Sequence, residues 1–339
     1  MSTTRVALAL GAGGARGYAH IGAIRELQRR GMEIAEVSGT SMGALIGGLA
    51  AHGTLDEYEE WALGLKRSDV FRLMDPSWSG PGAISADKVL EKVNELIGEV
   101  TIEQLPIHFT AVATDLAARR EVWFQSGPLH AAIRASIAIP GIITPVLING
   151  RLLVDGGLLN PVPIEPLARA AADLTIAISL AGPRAAREPE SPSTESTDPQ
   201  RFEVWRDRVR RTFSSISGNL DDADSESTGD EAGDRPSENL EESEIERRRW
   251  WRRWAREVEA AEPSAFQELP SGLRLSDVTA LSFGAMQGMI ARYRMAGLPP
   301  DIVVTVPVSA ARTLDFHRAS ELIALGTKLT AQALDDAGY

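Results

Sequence analysis

The sequence predicts an α/β protein whose central sheet is mostly parallel. Three observations carry that reading. Short runs of apolar and β-branched residues alternate with helical patterns over residues 1–182, the rhythm of stacked βα units. Glycine clusters stand directly after apolar runs, where strand-to-helix turns belong. The alternation lapses over 183–270 and resumes over 271–339. One core interrupted by an insertion accounts for this pattern, and two separate domains do not.

In order, RVALAL (5–10) is the first strand candidate, a continuous apolar run suited to a strand buried on both faces. A helical pattern follows over 17–30. The short apolar stretch around 34–38 leads into ALIGGLAAHG, whose small residues over 43–51 give a thin helix able to lie close to a sheet. A helix is predicted over 86–97, then strands at IHFTAVAT (107–114), EVWF (121–124) and RLLV (151–154). Another helix is predicted over 161–171, followed by the strand DLTIAISL (173–180). Beyond the insertion come a helical pattern over 273–296, the strand DIVVTVPV (301–308) and a closing helix from about 315.

Composition bounds the function. The chain has 339 residues, 43% hydrophobic and 24% charged, enough apolar material for a sizeable core. Cysteine is absent, which excludes disulfides, a thiolate nucleophile and sulfur-ligated metal sites. The five histidines, His20, His52, His108, His130 and His317, are scattered, so no metal site is expected; no calcium loop of EF-hand spacing is found either. The apolar run at the N-terminus breaks at glycine too early for a signal peptide. No segment reaches the roughly 20 apolar residues of a membrane span. A soluble, cytoplasmic protein is the expectation.

The net charge of −12 is local. Asp221 to Glu246 carries twelve acids against the single base Arg235. The rest is near neutral and has no basic domain for nucleic acid. The insertion, rich in Pro, Ser, Glu and Asp, is expected to be largely disordered. It holds two helical patterns. In 201–216, Phe202, Trp205, Val209, Phe213 and Ile216 form a stripe among five arginines. In 246–262, Trp250, Trp251 and Trp254 sit among six arginines. Such basic helices suit the surface of an anionic membrane; pairing with the acidic run is the alternative.

Three constellations carry chemistry. Gly11-Ala-Gly-Gly-Ala-Arg-Gly17 follows the first strand and opens a helix, a backbone nest for a phosphate or an oxyanion. A dinucleotide site would place glycine where Arg16 stands. Gly39-Thr-Ser-Met-Gly43 fits a nucleophile elbow that presents Ser41 at a helix N-terminus. Asp155-Gly156-Gly157 sets a carboxylate at a strand end, where parallel sheets keep functional loops. A plain Asp-Gly turn is the alternative for the last motif taken alone.

Together, in this order, the three segments resemble the patatin-like phospholipase family, and within it the bacterial branch related to the esterase domain of neuropathy target esterase. Ser136-Ile-Ala-Ile-Pro140, Pro145, Asn160-Pro-Val-Pro163 and the Ala-Thr-Asp115 strand end belong to the resemblance. It covers 5–182 and 273–330 but not the insertion. It implies a three-layer α/β/α fold and hydrolysis of lipid carboxylic esters without metal or organic cofactor. Ser41 would be the nucleophile and Asp155 its base. The oxyanion hole would comprise the amides of Gly13, Gly14 and Ala15 with Arg16 beside them, framed by the motif glycines Gly11, Gly17, Gly39, Gly43, Gly156 and Gly157. Ala12 departs from the pattern, since many relatives carry glycine there. Two alternatives stand beside this reading: a hydrolase with the triad Ser41, Asp155 and His317, and a lipid-binding scaffold without catalysis. Head group, acyl length and oligomeric state are not legible.

Overall fold

The computed structural model describes residues 3–73, 82–84, 87–183, 273 and 275–339. The chain divides into two units, Met1–Glu188 with Thr279–Tyr339, and Pro189–Val278. Nearly all of the second, including both predicted basic helices and the expected disorder, lies outside the described residues. In the first unit the chain runs β1 (Arg5–Leu10), α1 (Tyr18–Arg29), β2 (Glu33–Thr40), α2 (Met42–His52), α3 (Leu55–Leu63) and α4 (Arg67–Leu73). It continues through β3 (Gly82–Ile84), α5 (Asp87–Ile97), β4 (His108–Asp115), β5 (Arg120–Phe124) and α6 (Leu129–Ser136). Then follow β6 (Gly141–Ile143), β7 (Val146–Ile148), β8 (Arg151–Asp155) and β9 (Leu174–Gly182). The chain closes with α7 (Leu275–Gly297), β10 (Ile302–Pro307) and α8 (Ala319–Asp336).

The main sheet has the order β10-β9-β1-β2-β4-β8-β7, with β5 also paired to β4. The five strands from β10 to β4 are parallel; at one side β5 and β8 each pair antiparallel with β4, and β7 pairs antiparallel with β8. The mostly parallel α/β architecture is therefore as predicted. The sequence of β1 explains its layering, because alternate residues face opposite sides of a strand. Val6, Leu8 and Leu10 join a large core with α1, α2 and α8. Ala7 and Ala9 face a thinner layer formed by Val162, Ile164, Leu167 and Ala291 of α7. The small alanines let irregular backbone approach the sheet there.

That thin layer corrects one expectation. The segment 161–171 is not a helix; it holds only a 3-10 turn, Glu165–Leu167. Pro161, Pro163 and Pro166 remove three backbone donors. The run instead spans the sheet face as an acceptor: the Ala12 N–H donates to the Pro161 carbonyl (2.8 Å), Thr40 Oγ1 to the Asn160 carbonyl (2.8 Å) and Ser38 Oγ to the Pro163 carbonyl.

The sheet register brings two chain ends together. Thr40, the last residue of β2, pairs with Val112 of β4. Asp155, the last residue of β8, pairs antiparallel with the next β4 residue, Ala113. The other edge of β4 is occupied by β5 from Ala111 to Asp115. A strand has two edges, so β8 takes up the edge of β4 where β2 leaves it. The residue after β2 is Ser41. Thus β4 alone makes neighbours of residues 114 positions apart.

Candidate active site

Ser41 sits at φ 60°, ψ −124° between β2 and α2, a backbone conformation that L-residues adopt only when the surroundings enforce it. Enforcement comes from its neighbours. A Cβ on Gly39 would lie 2.3 Å from the Gly43 carbonyl oxygen, and one on Gly43 would lie 2.0 Å from the Leu10 carbonyl oxygen. Only hydrogen fits at both places, which explains the spacing of the elbow motif. Ser41 is 3% exposed and caps the N-terminus of α2, whose partial positive charge favours an alkoxide-like oxygen.

The Ser41 hydroxyl lies beside the Asp155 carboxylate. The Gly157 N–H donates to Oδ1 of that carboxylate at 2.7 Å. Asp155 is 2% exposed. Burial raises its pKa to about 6, and the Ser41 and Gly157 hydrogen bonds oppose that rise. Such a carboxylate is ionised at neutral pH yet a stronger base than an ordinary aspartate near 3.9. Gly157 is held in turn by Gln287 of α7, whose Nε2 donates to its carbonyl at 2.9 Å. Gly156 packs against the Val112 carbonyl, 2.2 Å from where its Cβ would be.

The glycine-rich turn is built as a nest, with two departures from the sequence expectation. Gly13 is extended and Gly14 has φ +57°. The Gly11 N–H donates to the Ile178 carbonyl and the Ala15 N–H to the Thr313 carbonyl, at 3.0 and 2.9 Å. Ala15 is therefore not a free donor, and the candidate amides narrow to Gly13 and Gly14. Arg16 also turns away: its Nη1 donates to the Ala311 and Val308 carbonyls at 3.0 and 3.4 Å. Gly17 is buried at the foot of α1 against Met42.

His20 supports the nest from below. It is fully buried, its pKa is lowered to about 4 by burial, and it is neutral. Because a carbonyl can only accept, Nε2 carries the proton and donates to the Gly11 oxygen at 2.8 Å. By sequence alone His20 has no evident part; its place three residues after the glycine turn, and nine after Gly11, was the available signal. Among the described residues no histidine hydrogen-bonds to Ser41 or Asp155, and His317 lies in the 3-10 turn Phe316–Arg318 before α8. No group of three or more His, Asp or Glu side chains suited to a metal ion occurs among them. No helix among them is long and apolar enough to cross a membrane.

An apolar pocket opens at Ser41. Met42, Leu45, Tyr58, Trp61, Ile137, Ile139, Leu314 and Phe316 line it with Gly14 and Tyr18. Tyr18 stacks edge-on against Phe316, ring centroids 5.9 Å apart. The Tyr18 and Tyr58 phenols lie next to each other, and burial raises both pKa values. Such a wall offers hydrocarbon contact and little polar recognition.

Comparison with known proteins agrees with this architecture. A family model described as patatin-like phospholipase matches residues 8–168. An uncharacterized NTE family protein of Mycobacterium tuberculosis is 44% identical over 346 aligned residues, covering 98% of this chain and 92% of that protein. The lysophospholipase NTE1 of Scheffersomyces stipitis is 30% identical over 188 residues, covering 53% of this chain and 12% of that protein. Among solved structures, VipD of Legionella pneumophila aligns with a TM-score of 0.43 and 14% identity, over 99% of this chain and 67% of that one. With its glycine nest, elbow and Asp-Gly-Gly loop within the matched region, the chain belongs to the NTE family of patatin-like phospholipase proteins.

Proposed function

We propose that this protein is a serine hydrolase of lipid carboxylic esters, of the phospholipase A or lysophospholipase type, working through a Ser41–Asp155 dyad. The observation that carries the reading is the sheet register, which sets the strained Ser41 after β2 beside the buried Asp155 carboxylate at the end of β8, with no histidine between them. Family membership supports the lipid class, and the apolar pocket at Ser41 supports an acyl chain as the part bound deepest.

The chemistry is acyl transfer. Ser41 Oγ attacks the ester carbonyl as its proton passes to Asp155. The carbonyl oxygen becomes an oxyanion beside the Gly13 and Gly14 amides; losing one such donor typically slows an acyl-transfer enzyme by about 10²–10³. Protonated Asp155 then gives its proton to the departing alkoxide, the C–O ester bond breaks, and the acyl group remains on Ser41. Water repeats the sequence, with Asp155 again taking and returning the proton, and frees the fatty acid. A triad through His317 lacks a contact to the dyad, and a passive scaffold leaves the strained elbow unexplained.

The test is hydrolysis of a panel of phospholipids, lysophospholipids and p-nitrophenyl acyl esters, with Ser41→Ala as control. Wild type is expected to release fatty acid from at least one lipid class, and Ser41→Ala from none. Equal release by both proteins would refute the reading. The kcat/KM profile is expected to fall below about pH 6, where Asp155 takes up its proton. A profile flat through pH 6 would remove Asp155 as the base.

A further inference from the structure

We infer that the turn ending α6, Ser136 to Ala138, is the clamp that sets the spacing of nucleophile and base, and that Ser136 is a positioning residue for Ser41. This inference rests on the dyad reading above. Ser136 is fully buried, and its hydroxyl is the acceptor of the Ser41 backbone N–H, at 2.8 Å. The same hydroxyl donates to the Val112 carbonyl at 2.6 Å. Two residues on, the Ala138 carbonyl accepts the Asp155 backbone N–H at 2.9 Å. One short stretch of chain therefore holds both members of the dyad by their backbones while touching neither reacting atom.

The chemistry of the hydroxyl makes the arrangement directional. A serine hydroxyl has one proton to give and lone pairs to receive with. Val112 takes the proton, so the oxygen is left to accept from Ser41. The Val112 carbonyl is itself fixed, since Val112 pairs with Thr40 and Gly156 packs against its oxygen. The Ser41 N–H, turned out of the strand pattern at φ 60°, has this hydroxyl as its partner. Without it a buried donor is left unpaired and the strained elbow loses a restraint on the side facing Asp155.

Ser136→Ala and Ser136→Cys test the clamp, with rates expressed per site titrated by a fluorophosphonate so that unfolded protein does not count. Ser136→Ala is expected to lower kcat for a p-nitrophenyl ester about 10- to 100-fold, the scale of a displacement near 1 Å, with KM changed less than about twofold. The acidic limb of its pH profile is expected to move upward, because the Ser41 hydroxyl, one of the two groups that hold the Asp155 proton affinity down, is displaced. Ser136→Cys keeps the branching with a slightly larger atom that is a weaker donor and acceptor, and its kcat is expected between those of Ser136→Ala and wild type. If Ser136→Ala does not fold, Ser136→Cys alone decides, and a kcat several-fold below wild type is the expected result. A kcat equal to wild type in the variant that folds, or a loss confined to the number of titratable sites with kcat and pH profile unchanged, overturns the clamp. Inactive Ser41→Ala beside fully active Ser136→Ala would remove this inference alone; active Ser41→Ala would remove the dyad and the clamp together.

Discussion

Asp155→Asn is expected to lose hydrolysis by about 10²–10⁴-fold, the range of a general base, and to be more stable than wild type at neutral pH. The two effects have one cause. Burial lifts the Asp155 pKa from 3.8 to about 6, so the folded protein holds this proton more tightly than the unfolded chain does. Stability from that tighter hold is fully present below pH 3.8 and is lost as pH rises through about 6. Above that point wild type carries a desolvated charge that the asparagine variant lacks. Roughly two pH units of displacement at 1.36 kcal/mol each give about 3 kcal/mol at pH 8. Urea unfolding at pH 8 and pH 4 measures it: the variant's advantage is expected at pH 8 and expected to shrink toward zero at pH 4. Equal stability of both proteins at pH 8, or an advantage that grows toward acid, would contradict the buried-base account.

Gly43→Ala is expected to destabilise the fold by about 3 kcal/mol or more, the upper end for overpacking. Its new Cβ would meet the Leu10 carbonyl oxygen at 2.0 Å and carbon at 2.6 Å. Both are backbone atoms of β1, the middle of the parallel sheet, and no side chain can swing away to relieve the clash. Gly284→Ala is the informative contrast. Gly284 lies in α7 with open space where its Cβ would stand. Alanine gains up to about 1 kcal/mol of helix propensity there. Thermal melts of the two variants are thus expected to move in opposite directions. A Gly43→Ala protein that melts with wild type would mean that α2 does not lie against β1 as described.

Much of this architecture was legible in the sequence, for identifiable reasons. The strands β1, β4, β8, β9 and β10 are runs of apolar or β-branched residues, and burial in a sheet requires little else of them. The elbow was legible because Gly39 and Gly43 answer a local steric demand. The failures are of another kind. Over 161–171 the apolar spacing suggested a helix, but Pro161, Pro163 and Pro166 withheld the donors it needs. Of the short strands in 141–148, β6 pairs only with β3 in a two-stranded sheet and β7 lies at the edge of the main one, where few residues are enough to hold the chain, and neither left a periodic signal. The loss of Ala15 as an oxyanion donor depends on Thr313, nearly 300 positions away, and the part of Ser136 depends on a backbone N–H 95 positions away. Partners at such separations are set by the register of β4 and the packing of α6 and α8, and no local pattern records them.

Mass spectrometry of the protein after reaction with a fluorophosphonate tests the assignment of the nucleophile most directly. The expected result is one adduct per molecule, on the peptide containing Ser41, with hydrolysis lost in proportion to labelling and no label on Ser41→Ala. An adduct on another residue that tracks the loss of activity would show that the elbow hydroxyl is not what attacks the ester.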